Sequence, residues 1–177
     1  MEWCKIDSEY LDYLRKVDNR VPYNEYGEQH YKPFFHKLFD LDEDIEYVCC
    51  ITSSKSKMMG FKDRSDFKKI FLEVRSGRQF LAGAVYLSDM IPVPKKVITT
   101  VRYRDIQNFR SFRNDDEKSK YIFFLRKEMS KLEEMRIDEK GEKLYKNIIN
   151  HPNSPLAKRS FDFIKLNKAA KEYKKYK

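Results

Sequence analysis

Pro33-Phe-Phe-His-Lys-Leu-Phe-Asp-Leu41, then Asp42-Glu-Asp44, then Ile45-Glu-Tyr-Val-Cys-Cys-Ile-Thr52 is the stretch on which the fold turns. Two runs of β-formers flank three acidic residues, the pattern of an antiparallel hairpin with a polar turn. N-terminal to it, Trp3–Ile6 reads as a short strand. Asp7 is placed to cap a helix from Ser8 to about Val17, with Tyr10, Leu11, Leu14 and Val17 at helical spacing as its buried face. Asp18–Lys32 is polar, holds Pro22 and Gly27, and reads as a long ordered loop of the kind that often carries function. C-terminal to the hairpin, Ser53–Gly60 reads as a second loop. Strands follow at Phe67–Glu73 and Gln79–Leu87, with a turn at Ser76–Gly77. Gly83 marks a bulge or a close backbone approach. Within Ile91–Tyr103, Val97–Val101 reads as a further strand.

Beyond about Asp105 the period changes. Asn114–Arg136 reads as a helix with Ile122, Phe123, Leu125, Met129 and Leu132 as its apolar positions. Asp138–Asn150 reads as a second helix, interrupted early by Gly141. Ser154-Pro155 is a helix start, with Ser as cap and Pro in the first turn, and Leu156–Tyr176 then runs as one basic helix. Strands first and helices afterwards make an α+β pattern. With 177 residues and no Gly/Ser linker, the chain is expected to form one domain, 1–177.

The composition is 41% hydrophobic, with thirteen Phe and twelve Tyr, which offsets the disorder that a 37% charged fraction would otherwise suggest. No run of eighteen apolar residues occurs and the N-terminus lacks a secretory pattern, so a soluble cytoplasmic protein without membrane contact is expected. Cys4, Cys49 and Cys50 form no disulfide framework and read as reduced thiols. His30, His36 and His151 are scattered, and neither a metal site nor a cofactor is expected.

The net charge of +9 is unevenly spread. Residues 1–51 carry six basic against twelve acidic side chains. Residues 94–113 hold Lys95, Lys96, Arg102, Arg104, Arg110 and Arg113 against Asp105 alone, and the last 22 residues hold eight basic against two acidic. Such clustering is the footprint of a polyanion partner, without separating RNA from DNA.

Five segments carry a family resemblance: Tyr10-Leu-x-Tyr13-Leu14-x-x-Val17-Asp18 with Val21-Pro22; Lys32-Pro33-Phe34-Phe35; Tyr47-x-x-x-Ile51-Thr52-Ser53-Ser54-Lys55; Gly83-Ala-Val-Tyr-Leu-Ser-Asp-Met90-Ile91-Pro92-Val93; and Asp162-Phe163. In this order and spacing the chain resembles the ToxN/AbiQ family of type III toxin–antitoxin ribonucleases. The resemblance implies a strongly bent antiparallel sheet ringed by helices, similar to the MazF/CcdB toxins. It also implies metal-independent endonucleolytic cleavage of cellular or phage RNA and a role in phage abortive infection. The implied partner is a tandem-repeat RNA antitoxin, cut by the toxin and held in a closed protein–RNA assembly.

Metal-free cleavage needs an in-line 2′-OH attack, charge stabilisation at the phosphoryl oxygens and two proton transfers. The resemblance places the active site at Thr52, Ser53 and Lys55. Ser53 would meet the 2′-OH or the scissile phosphate, Lys55 would neutralise developing charge, and Thr52 would orient the phosphate. Lys32 and Tyr31, just before the strand expected to pair with the one ending at Thr52, could face this turn, and with Lys57 they are candidate RNA contacts. His30 has a suitable reference pKa for acid–base work but no match in the family pattern. Ser54 stands where the family often has proline, and Met58 and Met59 where a base-stacking aromatic is expected. Arg102, Arg104, Arg110 and Arg113, interleaved with Tyr103, Phe109 and Phe112, suit single-stranded RNA, although Phe109 and Phe112 also fit a core. The C-terminal basic helix is a candidate groove wall. The competing readings are a non-catalytic RNA- or DNA-binding module and a MazF-like ribonuclease with a protein antitoxin.

Overall fold

The hairpin forms as expected, with β4 (Phe35–Asp40) and β5 (Ile45–Ser53) antiparallel and Phe35 opposite Cys50. Asp42 shapes the turn by accepting from the amides of Asp44 and Ile45. The structure is a computed structural model describing residues 1–22, 35–74 and 76–173, with residues 25–26 and 30–31 described through their backbone.

Around the hairpin lie β1 (Trp3–Ile6), α1 (Ser8–Arg15), β6 (Phe67–Glu73), β7 (Gln79–Tyr86), β8 (Ile91–Pro94) and β9 (Ile98–Thr100). A separate two-stranded ribbon, β2 (Glu25–Tyr26) with β3 (His30–Tyr31), lies where one long loop was expected. The main sheet runs β6-β7-β5-β4-β1-β9. One edge of β5 is shared: Ile45–Val48 pairs with β8 and Ile51–Ser53 with β7. Along this edge β5 changes partner partway through its length, from β8 to β7.

The strand expected at Val97–Val101 forms as β9, and a second strand, β8, precedes it within the same stretch. A 3₁₀ turn at Lys95–Val97 separates β8, which pairs with β5, from β9, which pairs with β1. Val17 was expected on the buried face of α1, but it lies beyond the helix end and is 39% exposed, while Tyr10, Leu11 and Leu14 are buried. Asp7 caps α1 through the amide of Glu9.

The helices α2 (Asp115–Glu134), α3 (Ile137–Asn150), α4 (Pro155–Arg159) and α5 (Phe163–Glu172) follow. Asn114, Ser154 and Asp162 each cap a helix with a side-chain oxygen. Phe123, counted among the apolar positions of α2, is 60% exposed. Gly141 does not interrupt α3; it is buried where that helix crosses Leu38 of β4. The single basic helix expected after Ser154 is broken. The Phe161 amide bonds to the Ser88 carbonyl at 2.9 Å, and Asp162 starts a new helix. Asp66 ties this break to the sheet: its buried carboxylate accepts from Arg159 at 2.6 Å and Arg64 at 3.2 Å. The two guanidinium groups hold Asp66 below the usual carboxylate range despite its burial.

Among the described residues, His36 and Glu128 are buried without an opposing charge. His36 is fully buried, packs edge-on to Trp3, and has no hydrogen-bond partner for either ring nitrogen among the described residues. Burial lowers it to about 3, so it is neutral. Glu128 on α2 is only 5% exposed, and burial raises its carboxyl to about 8 from 4.5. Folding therefore favours its protonated form, and the contribution of Glu128 to stability is most favourable below about pH 4.5, falling as pH rises until it levels above about 8. Glu128→Gln is expected to flatten this slope and to stabilise the protein at pH 7 by up to about 3 kcal/mol. Urea unfolding at pH 4.5 and pH 7 measures it, and a variant with the wild-type pH slope would refute it.

Candidate active site

Ser53 is the last residue of β5, held opposite Gly83 of β7, with Thr52 opposite Ala84. The Ser54 amide extends the ladder by donating to the Ala82 carbonyl at 3.2 Å. Neighbouring strand residues face opposite sides. Thr52 therefore shares the face of Ala84 and Lys69, while Ser53 shares that of Ile51 and Val85. Thr52 is half-buried, and Ser53, Ser54 and Lys55 are exposed.

The approach of β7 depends on Gly83. A Cβ there would lie 2.6 Å from the Thr52 carbonyl oxygen and 2.8 Å from Ile51 Cγ2. Of the two sequence readings for this glycine, close backbone approach is met directly. The β6–β7 register also shifts opposite it, between Ile70 and Phe71.

The segment after Lys55 is a 3₁₀ turn, Ser56–Gly60, rather than an irregular loop. The Met58 amide donates to the Lys55 carbonyl at 2.9 Å, and the Met58 side chain, 2% exposed, inserts between Phe67 and Ala84. Met58 is thus an anchor of the loop and is not available to stack on a base. Met59 and Phe61 are exposed, Phe61 resting edge-on against Phe67. This anchoring leaves Lys55 and Lys57 on the surface beside the end of β5. The stretch 55–69 also carries Lys62, Arg64, Lys68 and Lys69, six basic side chains against Asp63 and Asp66. This cluster was missed in the sequence, although its local charge balance was visible there.

Of the other candidates, Tyr31 and His30 lie in β3, where only the backbone is described, and Lys32 lies outside the described residues. The arginine cluster is not brought to the turn. It follows β9, three strands from β5 across β4 and β1, about 14 Å at ordinary strand spacing. Arg102 and Arg104 are exposed. Arg110 is half-buried over Tyr121 at 4.4 Å and pairs with Glu117 at 3.9 Å, so its guanidinium fastens the segment to α2. The Arg113 amide donates to Glu117 at the same helix start, and its side chain is exposed. Phe109 and Phe112 are half-buried against the core. On α5, Lys165, Lys168 and Lys171 each lie within 4 Å of a carboxylate, which reduces the free positive charge expected of that helix.

Among the described residues, no three His, Cys, Asp or Glu side chains converge in a way that could hold a metal ion, and no helix is long and apolar enough to cross a membrane.

Comparison with known proteins places this geometry. Residues 2–171 match the family described as toxin ToxN of type III toxin–antitoxin systems. The endoribonuclease ToxN of Bacillus thuringiensis subsp. kurstaki is 27% identical over 175 residues, covering 96% of this chain and 82% of that relative. A solved structure of a bacterial type III system, whose toxin is selectively inhibited by a non-coding RNA pseudoknot, is similar with a TM-score of 0.72 at 25% identity, covering 99% of this chain and 98% of the other. The structure of AbiQ, a lactococcal anti-phage endoribonuclease of a type III system, has a TM-score of 0.66 at 16% identity and the same coverage, a likeness of fold. With its antiparallel sheet, its helices and a family match over nearly its whole length, the chain belongs to the ToxN family of type III toxin–antitoxin toxins.

Proposed function

We propose that this protein is an endoribonuclease toxin that cuts RNA at the end of β5 without a metal ion and is held in check by an RNA antitoxin. The observation that carries this reading is the exposed Ser53–Lys55 segment, locked by the Gly83 approach and the Met58 anchor and set among basic side chains. RNA crossing the strand end meets Ser53 from one side and Thr52 from the other. Lys55 offsets charge on the phosphorane, Ser53 contacts the 2′-OH or the phosphate, and Thr52 orients the phosphate. The nucleophile is the RNA's own 2′-oxygen, which attacks phosphorus as the 5′-oxygen leaves, giving a 2′,3′-cyclic phosphate and a 5′-OH. Lys57 extends the RNA contact at this turn, Arg102, Arg104 and Arg113 form a separate, more distant one, and Tyr31 and Lys32 are further RNA contacts on the family resemblance.

The continuous buried core from Trp3 to Ala170 supports reading residues 1–177 as one domain. The likeness to a toxin inhibited by a non-coding RNA supports an RNA antitoxin; that this RNA is repeat-derived and closes protein–RNA assemblies, and that the toxin acts in the cytoplasm on cellular or phage RNA in abortive infection, is part of the same proposal. Incubating the purified protein with A-rich RNA in EDTA tests the reaction. Cleavage with cyclic-phosphate ends, lost in Ser53→Ala, is the expected outcome; binding without cleavage by the wild type would replace the nuclease with a binding module.

A further inference from the structure

A small cleft of about 220 Å³ opens where α3 passes the start of β6, lined by Ser65, Lys68, Lys140, Lys143, Leu144, Asn147 and Leu156. Three ammonium groups and no carboxylate line it. Lys68 is half-buried, and neither Lys68 nor Lys143 has a carboxylate partner among the described residues. Lys140 gives one of its three donors to the Met135 carbonyl at 2.6 Å. Holding three like charges around one concavity is unfavourable unless an anion fills it. Elsewhere on α3 the charges are neutralised within the helix: Lys146 pairs with Glu142 and Arg136 with Glu139.

The sheet register ties the cleft to the candidate active site. Ser53 lies opposite Gly83, and Gly83 opposite Ile70; Lys68 is two residues along β6 from Ile70 and on the same face. Two strand spacings and two residue rises put Lys68 about 12 Å from Ser53 in the backbone. Ser65, on the cleft rim, belongs to the same connecting segment that carries Lys55 and Lys57. Resting on the nuclease reading above, we propose that this cleft is a second phosphate-binding site, which holds a backbone phosphate of the RNA strand whose scissile bond lies at Ser53. It anchors the strand and takes no part in bond breaking.

A random-sequence RNA methylated at every 2′-oxygen has no nucleophile and serves as an uncleavable probe. Its affinity is measured across a salt series for the wild type, for Lys68→Ala with Lys143→Ala, and for a charge-matched pair on exposed α2, Lys120→Ala with Lys127→Ala. The cleft pair is expected to bind roughly tenfold more weakly at low salt and to lose about 0.7 from the slope of log affinity against log salt, the value for one single-strand phosphate. The α2 pair is expected to stay near the wild type. Lys143→Glu, at an exposed position, should repeat the loss with an unchanged melting temperature, which separates phosphate binding from a folding defect. Equal slopes for the cleft and α2 pairs would overturn the proposal. The nuclease reading fails separately, if wild-type protein leaves unmodified RNA intact in EDTA.

Discussion

Lys55→Ala is expected to lower the single-turnover cleavage rate by roughly 10² to 10³ at saturating RNA, with no change in thermal stability. Lys55 is exposed and its backbone, through the carbonyl that receives the Met58 amide, does the structural work of the turn. Removing the ammonium therefore leaves the fold intact and removes a charge that matters most when the phosphorane carries its extra negative charge. Lys55→Arg keeps the charge but spreads it over a larger planar group, and should recover only part of the rate. The decisive comparison is rate against affinity. If Lys55→Ala weakens RNA binding but leaves the saturated rate within a few-fold of the wild type, Lys55 is a binding residue and the assignment of the centre fails.

Gly83→Ala is expected to damage both stability and cleavage, the second more than the first. The added Cβ would lie 2.6 Å from the Thr52 carbonyl oxygen and 2.8 Å from Ile51 Cγ2, and the first of these is backbone that cannot swing aside. Overpacking of this kind costs about 1 to 3 kcal/mol. Relief requires β5 and β7 to part at the point where Thr52 and Ser53 are held, and a displacement of about 1 Å at a reacting group can cost on the order of 100-fold in rate. Gly60→Ala is the control, since no atom lies within 4 Å of the Cβ it would gain. Thermal melts and single-turnover rates on both variants give the answer. A Gly83→Ala protein that melts and cleaves like the wild type would show that the approach of the two strands does not position the turn.

What could be read from the sequence about the fold was the set of elements governed by neighbouring residues. The Asp7 cap, the Ser154-Pro155 start, the acidic hairpin turn and most strand positions depend on side chains that satisfy nearby backbone groups. The errors fall where a distant partner intervened. Only Val97–Val101 reads as a strand in Ile91–Tyr103, yet Ile91–Pro94 is also one, because β5 pairs with it while β9 pairs with β1, and the chain turns at Lys95–Val97 to reach both. The basic C-terminal run has uninterrupted helical propensity, but the Phe161 bond to Ser88 and the Arg159–Asp66 pair interrupt it.

The same division holds for the site. Thr52, Ser53 and Lys55 are adjacent in the chain, so their proximity was available from their order alone, as was the need for a small residue at Gly83. Tertiary structure decided that Met58 is an anchor, that Arg110 is bound into the fold, and that the arginine segment leaves from the far edge of the sheet. It also brought Lys68 beside Lys140 and Lys143, more than seventy residues away in the chain. The physical reason is that caps and turns are satisfied within a few residues, whereas the face on which a lysine emerges depends on strand register and on which helix closes over it, both fixed by contacts between distant parts of the chain.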